Sequence, residues 1–518
     1  MTTTHPRALD LAERLRAIVE IAPRADALEL HGTWCTWGAL ATCRELVARH
    51  LRDVGAGDGA RVGIVMRNRP GVVGGVIGAL SSRLSIVALS HLRPGAQLAE
   101  EIRTLDLAAV IADTEDWDRP SFVDAVRVAG MLGLAVDTYD PATVTVATPG
   151  NLAGGAVERR RSPGVAVAML TSGTTGPPKR VPITYDNLAA SFSGAAHYES
   201  RADGRPRLRS GVATLVAPIL HTSGLFRLLL NVLEGRRVAM LEKFDVDGLL
   251  RLVRAYDARV LALTPTSIQM ILDAEVDPAE LAGVRAVISG TAPLDPAVAE
   301  RFERLYGVAV LVMYGATEFA GGIAGWTMRD REAHRETKRG SVGRVHPGVE
   351  VRVRVPGTDR LAEPGAAGQL DVRAKQLAAD DPEGWVATTD LARVDDDGFL
   401  WILGRTDDAI IRGGFKVSAG KVAEVLKRHP AVRDAAVVGL PDRRLGHVPV
   451  AAVELAANAV LDVAELTGWA RDHLAPYEVP TTVVAVTALP RTPSLKVSQE
   501  RLTEMLIHDH RVDPGHGR

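Results

Sequence analysis

The chain has 518 residues, 61 lysines and arginines against 63 aspartates and glutamates, 46% apolar residues and two cysteines. That composition is ordinary globular protein and excludes a mainly disordered or fibrous chain. A net charge of −2 leaves no broad electrostatic footprint for nucleic acid or an anionic membrane, and Cys35 and Cys43 form neither a disulfide framework nor a metal-ligand quartet.

In chain order, the first twenty residues are polar and amphipathic and lack the unbroken apolar core of a signal peptide, so a cytoplasmic protein is expected. The run GVVGGVIGALSSRLSIVAL (71–89) carries Arg83 and follows the strand-like RVGIVM. It reads as a buried helix leading into a strand, not as a membrane span. LAAVIAD (107–113), VAVAMLT (165–171), ATLVAPI (213–219), RRVAML (236–241), RVLALTP (259–265), VRAVISG (284–290) and AVLVMYG (309–315) read as further buried strands. Helical stretches such as DVDGLLRLVRAY and DPAVAERFERLYG separate several of them. Apolar strands alternating with amphipathic helices predict an α/β fold built on largely parallel, covered sheets. After about residue 325 the pattern changes to period two in VEVRVRV, GQLDVRA and GFLWILG, which predicts a small β-barrel-like module. GRTDDAIIRGG is the expected junction, dividing the chain into a large domain, 1–406, and a small α+β domain, 407–518.

The cations are mostly arginine, with only eight lysines, and lysines set inside motifs therefore stand out. MLTSGTTGPPKR (169–180) follows a predicted strand and packs glycines, hydroxyls and Lys179 together. Glycines let backbone N–H groups converge on an anion, hydroxyls add donors and lysine adds charge. A polar surface turn is the plainer alternative.

The segment TSGTTGPPK resembles the phosphate loop of the adenylate-forming superfamily, which holds acyl- and aryl-CoA synthetases, peptide-synthetase adenylation domains and luciferase. VAPILHTSGL (216–225), SGTAPL (289–294), YGATE (314–318), TTDLARVDDDGFLWILGR (388–405), GGFKVS (413–418) and LPRTPSLKVS (489–498) are similar to further motifs of that superfamily, in the same order. The resemblance implies an AMP-forming acid–thiol ligase that uses ATP, Mg²⁺ and CoA on a carboxylic acid. It implies a phosphate loop of Thr171, Ser172, Gly173, Thr174, Thr175, Gly176 and Lys179, and a nucleotide site of Ser289, Gly290, Thr291, Ala292, Pro293, Tyr314, Gly315, Asp390 and Arg405. Thr317 would approach the α-phosphate, and Glu318 with Thr174 would serve Mg²⁺, a hard cation suited to oxygen ligands.

By the same resemblance His221, Gly224, Gly321 and Gly322 would line the acyl pocket, the last two leaving room for a bulky hydrophobic acid. A core histidine is the competing reading of His221. Lys496 would serve adenylate formation, Asp407 would be a hinge, and Gly413, Gly414, Phe415 and Lys416 would then admit CoA. The chain departs from the family pattern at Leu495, where glycine usually precedes the lysine, and at Thr389 and Arg180, where glycine is also usual. Lys421 and Ala423 replace an acidic pair, and His447 replaces a common glutamate. These departures suggest an alternative, a variant with weakened adenylation and retained thioesterification. A non-catalytic nucleotide- or acyl-binding protein is the reading of a different class. The expected partners are the acid and CoA, without nucleic acid or a membrane span, and a homo-oligomer is compatible with the sequence.

Overall fold

The computed structural model describes residues 10–150, 161–171, 179–195, 206–355, 358–377, 383–405, 410–456, 459–460, 462–490, 497 and 499–508, with the backbone alone for residues 171, 179, 195, 404, 405 and 500. A seven-stranded sheet runs in the order Val144–Thr148, Leu132–Val136, Ala109–Asp113, Arg61–Met66, Ser85–Ser90, Val165–Thr171, Lys179–Thr184. Its central strands are parallel and its two edges antiparallel. The apolar run after Arg61–Met66 forms the helix Pro70–Ser81, every residue of which is buried, and then the strand Ser85–Ser90. Proline suits the helix start because its missing N–H has no intrahelical partner there. Glycines let this helix lie close on the helix Trp37–Asp53. A Cβ added at Gly74 would stand 2.6 Å from Cys43 Sγ, and one at Gly78 would stand 3.0 Å from Val47 Cβ.

A five-stranded sheet follows, Val260–Leu263, Ala286–Ser289, Ala309–Ala316, Gly321–Gly325 and Arg344–Val345, parallel at first and antiparallel from the fourth strand. A four-stranded sheet pairs Val212–Leu215 and Arg237–Met240 with Asp26–Leu30 and Thr33–Thr36. The period-two segments form an antiparallel sheet of Val349–Arg354, Gly368–Ala374, Trp385–Val394 and Leu400–Arg405. From residue 410 on, the chain folds round the sheet Phe415–Val417, Ile410–Arg412, Gly446–Leu455, Val432–Asp442, with Thr482–Ala485 added in parallel. Two apolar clusters in this last part contain only residues from Ile410 onward. No described helix is long and apolar enough to cross a membrane.

Candidate active site

The tip of the hairpin Val165–Thr171/Lys179–Thr184 carries the glycine-rich segment. Thr171, at one end of that segment, pairs across the hairpin with Lys179 at the other. Ser172, Gly173, Thr174, Thr175 and Gly176 lie outside the described residues, as do Lys496, Leu495 and Asp407. Arg180 does not turn into this loop. Its guanidinium donates to Ala88 O at 2.8 Å and pairs with Glu101, which Arg93 also approaches at 3.3 Å. Burial and this partner fix Arg180 as a tie between the hairpin and the helix Gly95–Thr104.

YGATE closes the strand Ala309–Ala316 and enters a short 3₁₀ turn, Thr317–Phe319. Gly315 sits opposite Gly322, and a Cβ there would collide with Gly321 O, so this close backbone approach demands glycine. The Tyr314 hydroxyl donates to the carboxylate of Asp390, which is buried on the neighbouring β-module. Asp390 pairs directly with Arg405 on the adjacent strand, and its N–H donates to Thr388 Oγ1 at 3.0 Å. Ser289 is fully buried at the end of its strand, and Gly290, Thr291, Ala292 and Pro293 follow in the loop before the helix Pro296–Tyr306. Thr291 has φ +75°, a left-handed conformation uncommon for a β-branched residue.

His221 caps the helix Thr222–Leu233 from outside, its N–H bonded to Pro218 O at 3.0 Å. Gly224 presses against the same carbonyl. Thr222 Oγ1 donates to Thr317 Oγ1 at 2.9 Å, joining this turn to YGATE. Asn68 sets the turn's position. Its amide donates to Ala217 O at 3.1 Å and Leu241 O at 2.9 Å, and its oxygen accepts from Ile219 N at 2.8 Å. The flanking Arg67 and Arg69 are anchored on Asp116 and Asp113. Burial pushes the His221 imidazole pKa down to about 4, so it is neutral at pH 7.

The space beside Gly321 and Gly322 is already occupied. A Cβ at Gly321 would stand 2.6 Å from Ser191 Oγ and 3.4 Å from Phe226, and one at Gly322 would stand 2.7 Å from Met313 Sδ. These glycines therefore admit neighbouring side chains, and any acyl pocket beside them is bordered by Ser191, Phe226 and Met313. The apolar groups nearby are Met313 and Phe226, the latter stacked on Phe192 at 4.7 Å. Ser191 Oγ fixes Ala320 O at 2.8 Å, and Gln376 Nε2 donates to Phe319 O and Gly322 O at 3.1 Å.

GGFKVS of the C-terminal part meets the SGTAPL loop and His221. A Cβ on Gly414 would stand 2.9 Å from Thr291 Oγ1, and one on Gly413 would stand 3.3 Å from Thr266 Oγ1. Lys416 pairs with Ile411 in the small hairpin, and the Phe415 ring meets the His221 ring edge-on at 4.2 Å. Arg443 adds an ion pair to Asp273 at 3.2 Å. Lys421 takes both oxygens of the buried Glu478 at 2.6 Å, which explains a cation where the family has an acid.

Sequence reasoning missed Asn68, Ser191, Phe226, Arg412 and Tyr477. A polar residue immediately after the buried strand RVGIVM was the available signal for Asn68, because a buried amide must find partners. The other four carried no local signal.

The AMP-binding enzyme family model matches residues 15–379, and the model of the AMP-binding enzyme C-terminal domain matches 421–496. The chain belongs to the AMP-binding enzyme family. It is an enzyme of the adenylate-forming, acid–thiol ligase class. It is 28% identical over 432 residues to 4-coumarate--CoA ligase-like 5 of Oryza sativa subsp. japonica, covering 82% of this chain and 72% of that one. It is 29% identical over 363 residues to the long-chain-fatty-acid--CoA ligase of Bacillus subtilis (strain 168), covering 67% and 63%. The amide bond synthetase McbA from Marinactinospora thermotolerans superposes with a TM-score of 0.80 at 27% identity, over 95% of this chain and 99% of that one.

Proposed function

We propose that this AMP-binding enzyme activates a hydrophobic carboxylic acid as its acyl-adenylate and passes the acyl group to the thiol of CoA. The observation that carries the reading is the run of contacts that joins Tyr314 to Asp390, Thr317 to Thr222, and His221 to Phe415. In the first step the substrate carboxylate attacks the α-phosphate of ATP and pyrophosphate leaves. In the second the thiol attacks the acyl carbon and AMP leaves. Both steps develop charge at fixed places, so the chain's work is positioning and electrostatic stabilisation.

Tyr314 would lie along the adenine, while Asp390 and Arg405 would hold the ribose hydroxyls. Thr317, fixed by Thr222, would donate to the α-phosphate, and Lys179 with the glycine-rich loop would hold the outer phosphates. Glu318 suits Mg²⁺: it is a carboxylate in the turn that follows Tyr314, with no ion pair or side-chain hydrogen bond to another described residue. A magnesium ion there would neutralise phosphate charge, and one carboxylate with phosphates and waters is an ordinary ligand set for it. His221, whose burial makes its imidazole a weak base, would border the acyl carbon. Met313, Phe226 and Phe192 favour an apolar acid, since no carboxylate among the named pocket groups would hold a substrate ammonium. Lys496 would act in the first step, before the C-terminal part turns GGFKVS inward about Asp407.

A second reading is amide formation, in which an amine replaces the thiol as acceptor. The likeness to an amide bond synthetase over nearly the whole chain favours it.

The test offers free acids with ATP, or preformed acyl-adenylates, each with CoA or a panel of amines, and detects thioester and amide by mass. Thioester from both donors is the expected result. Thioester from adenylates alone, with Leu495→Gly raising pyrophosphate release, identifies the variant with weakened adenylation. Amide without thioester selects the second reading. Tight nucleotide binding with no product from either donor overturns catalysis altogether.

A further inference from the structure

Three rings stand in series where the C-terminal part meets the turn before the helix Thr222–Leu233. Phe415 meets His221 edge-on with centroids 4.2 Å apart at 70°, and Tyr477 lies behind Phe415 at 4.2 Å and 20°. Both separations fall below the usual range of about 4.5–7 Å for aromatic pairs, so neither ring has slack.

The turn carrying Tyr477 is braced on two sides. One Arg412 nitrogen donates to Tyr477 O and Val479 O, each at 2.9 Å, and to Pro476 O at 3.4 Å. From the other side Glu478 receives Lys421 at 2.6 Å and accepts the Ala475 N–H at 3.0 Å. A loop held by one guanidinium on three carbonyls and by a buried ion pair has few conformations left to its central ring.

We infer that Tyr477 is a positioning residue that backs Phe415 as a stopper over His221, keeping water from the acyl-adenylate until the acceptor nucleophile displaces the ring. The inference deepens the reading above and rests on His221 bordering the acyl carbon. Without the stopper, water oxygen bonds to the acyl carbon, the bond from that carbon to the phosphate oxygen breaks with its electron pair on AMP, and the water proton passes to solvent. A mixed anhydride held for a slow second substrate is exposed to this loss, and excluding water is the general remedy.

The test compares the whole chain with Tyr477→Ala, Tyr477→Phe and Phe415→Ala. The first measurement is AMP released without any acceptor, divided by adenylate formed. Tyr477→Ala should raise this ratio about tenfold, because the ring behind Phe415 is gone, while Tyr477→Phe, which keeps the stack, should restore the parent ratio. An unchanged ratio in Tyr477→Ala overturns the stopper. The second measurement needs no substrate: carbethoxylation of His221 by diethyl pyrocarbonate, followed by peptide mass spectrometry. Neutral imidazole reacts when reached, so Tyr477→Ala and Phe415→Ala should both speed modification several-fold and Tyr477→Phe should not. Equal His221 rates in all four proteins overturn the inference. Faster modification with no adenylate from any acid keeps the stopper and overturns the proposed chemistry instead.

Discussion

Arg180 and His221 show how single residues acquire their meaning. Sequence places Arg180 where the family has glycine beside its phosphate loop, which suggests damage to nucleotide binding. In the structure its charge is spent on Glu101 and its donors on Ala88 O. With side-chain exposures of 16% and 12%, the pair is shielded, and removing one partner costs about 3 kcal/mol because the other charge stays buried. Arg180→Gly is therefore expected to lower the urea midpoint without raising pyrophosphate release. His221 titrates against burial. Its pKa is about 4 in the fold against about 6.5 when unfolded, so the unfolded chain takes up the proton first as pH falls. Stability from this group is complete above pH 6.5, is lost between about pH 6.5 and 4, and changes no further below that. Melting curves at pH 7 and pH 4.5 should show a smaller drop for His221→Gln than for the parent protein.

At the scale of elements, the YGATE strand and its return Gly321–Gly325 form the piece on which the nucleotide and acyl sides meet. Gly315 faces Gly322 across this hairpin, with Gly321 O against it. Gly315→Ala forces a carbon into that carbonyl, and overpacking of this sort costs about 1–3 kcal/mol. The hairpin carries Tyr314 and Thr317, so the variant is expected to lose adenylate formation while far-ultraviolet circular dichroism stays near that of the parent. The buried helix Pro70–Ser81 and the strand after it were legible from sequence, because apolar runs between turn signals have few other solutions. The period-two strands of the β-module were legible for the same kind of reason, alternation being tied to the two faces of a strand. Gly321 and Gly322 were read as room for a bulky acid. A sequence shows that a side chain is missing, and only packing shows whether Ser191, Phe226 and Met313 have taken its place.

At the scale of the molecule, residues from Ile410 onward close two apolar clusters of their own, whereas the other described clusters draw only on residues up to Ile402. Among the described residues the ties between the two parts include Phe415 on His221, Gly413 and Gly414 at Thr266 and Thr291, and Arg443 with Asp273. Separate cores joined by small contacts do not unfold as one unit. Calorimetry is expected to show two transitions, and Arg443→Glu should bring the first of them to lower temperature while leaving the second in place.

The sequence by itself determined the classes of element, their order and the motifs that mark an adenylate-forming enzyme, since periodicity, turn residues and motif chemistry are written locally along the chain. Tertiary structure alone decided which motifs meet. Asn68 reaches the turn before His221 from about 150 residues away in sequence. Lys421 finds Glu478 57 residues on, and Tyr477 comes to rest on Phe415, with no local pattern to announce either contact. Hydrogen bonds, ion pairs and ring contacts between distant segments depend on distances that only the packed chain defines.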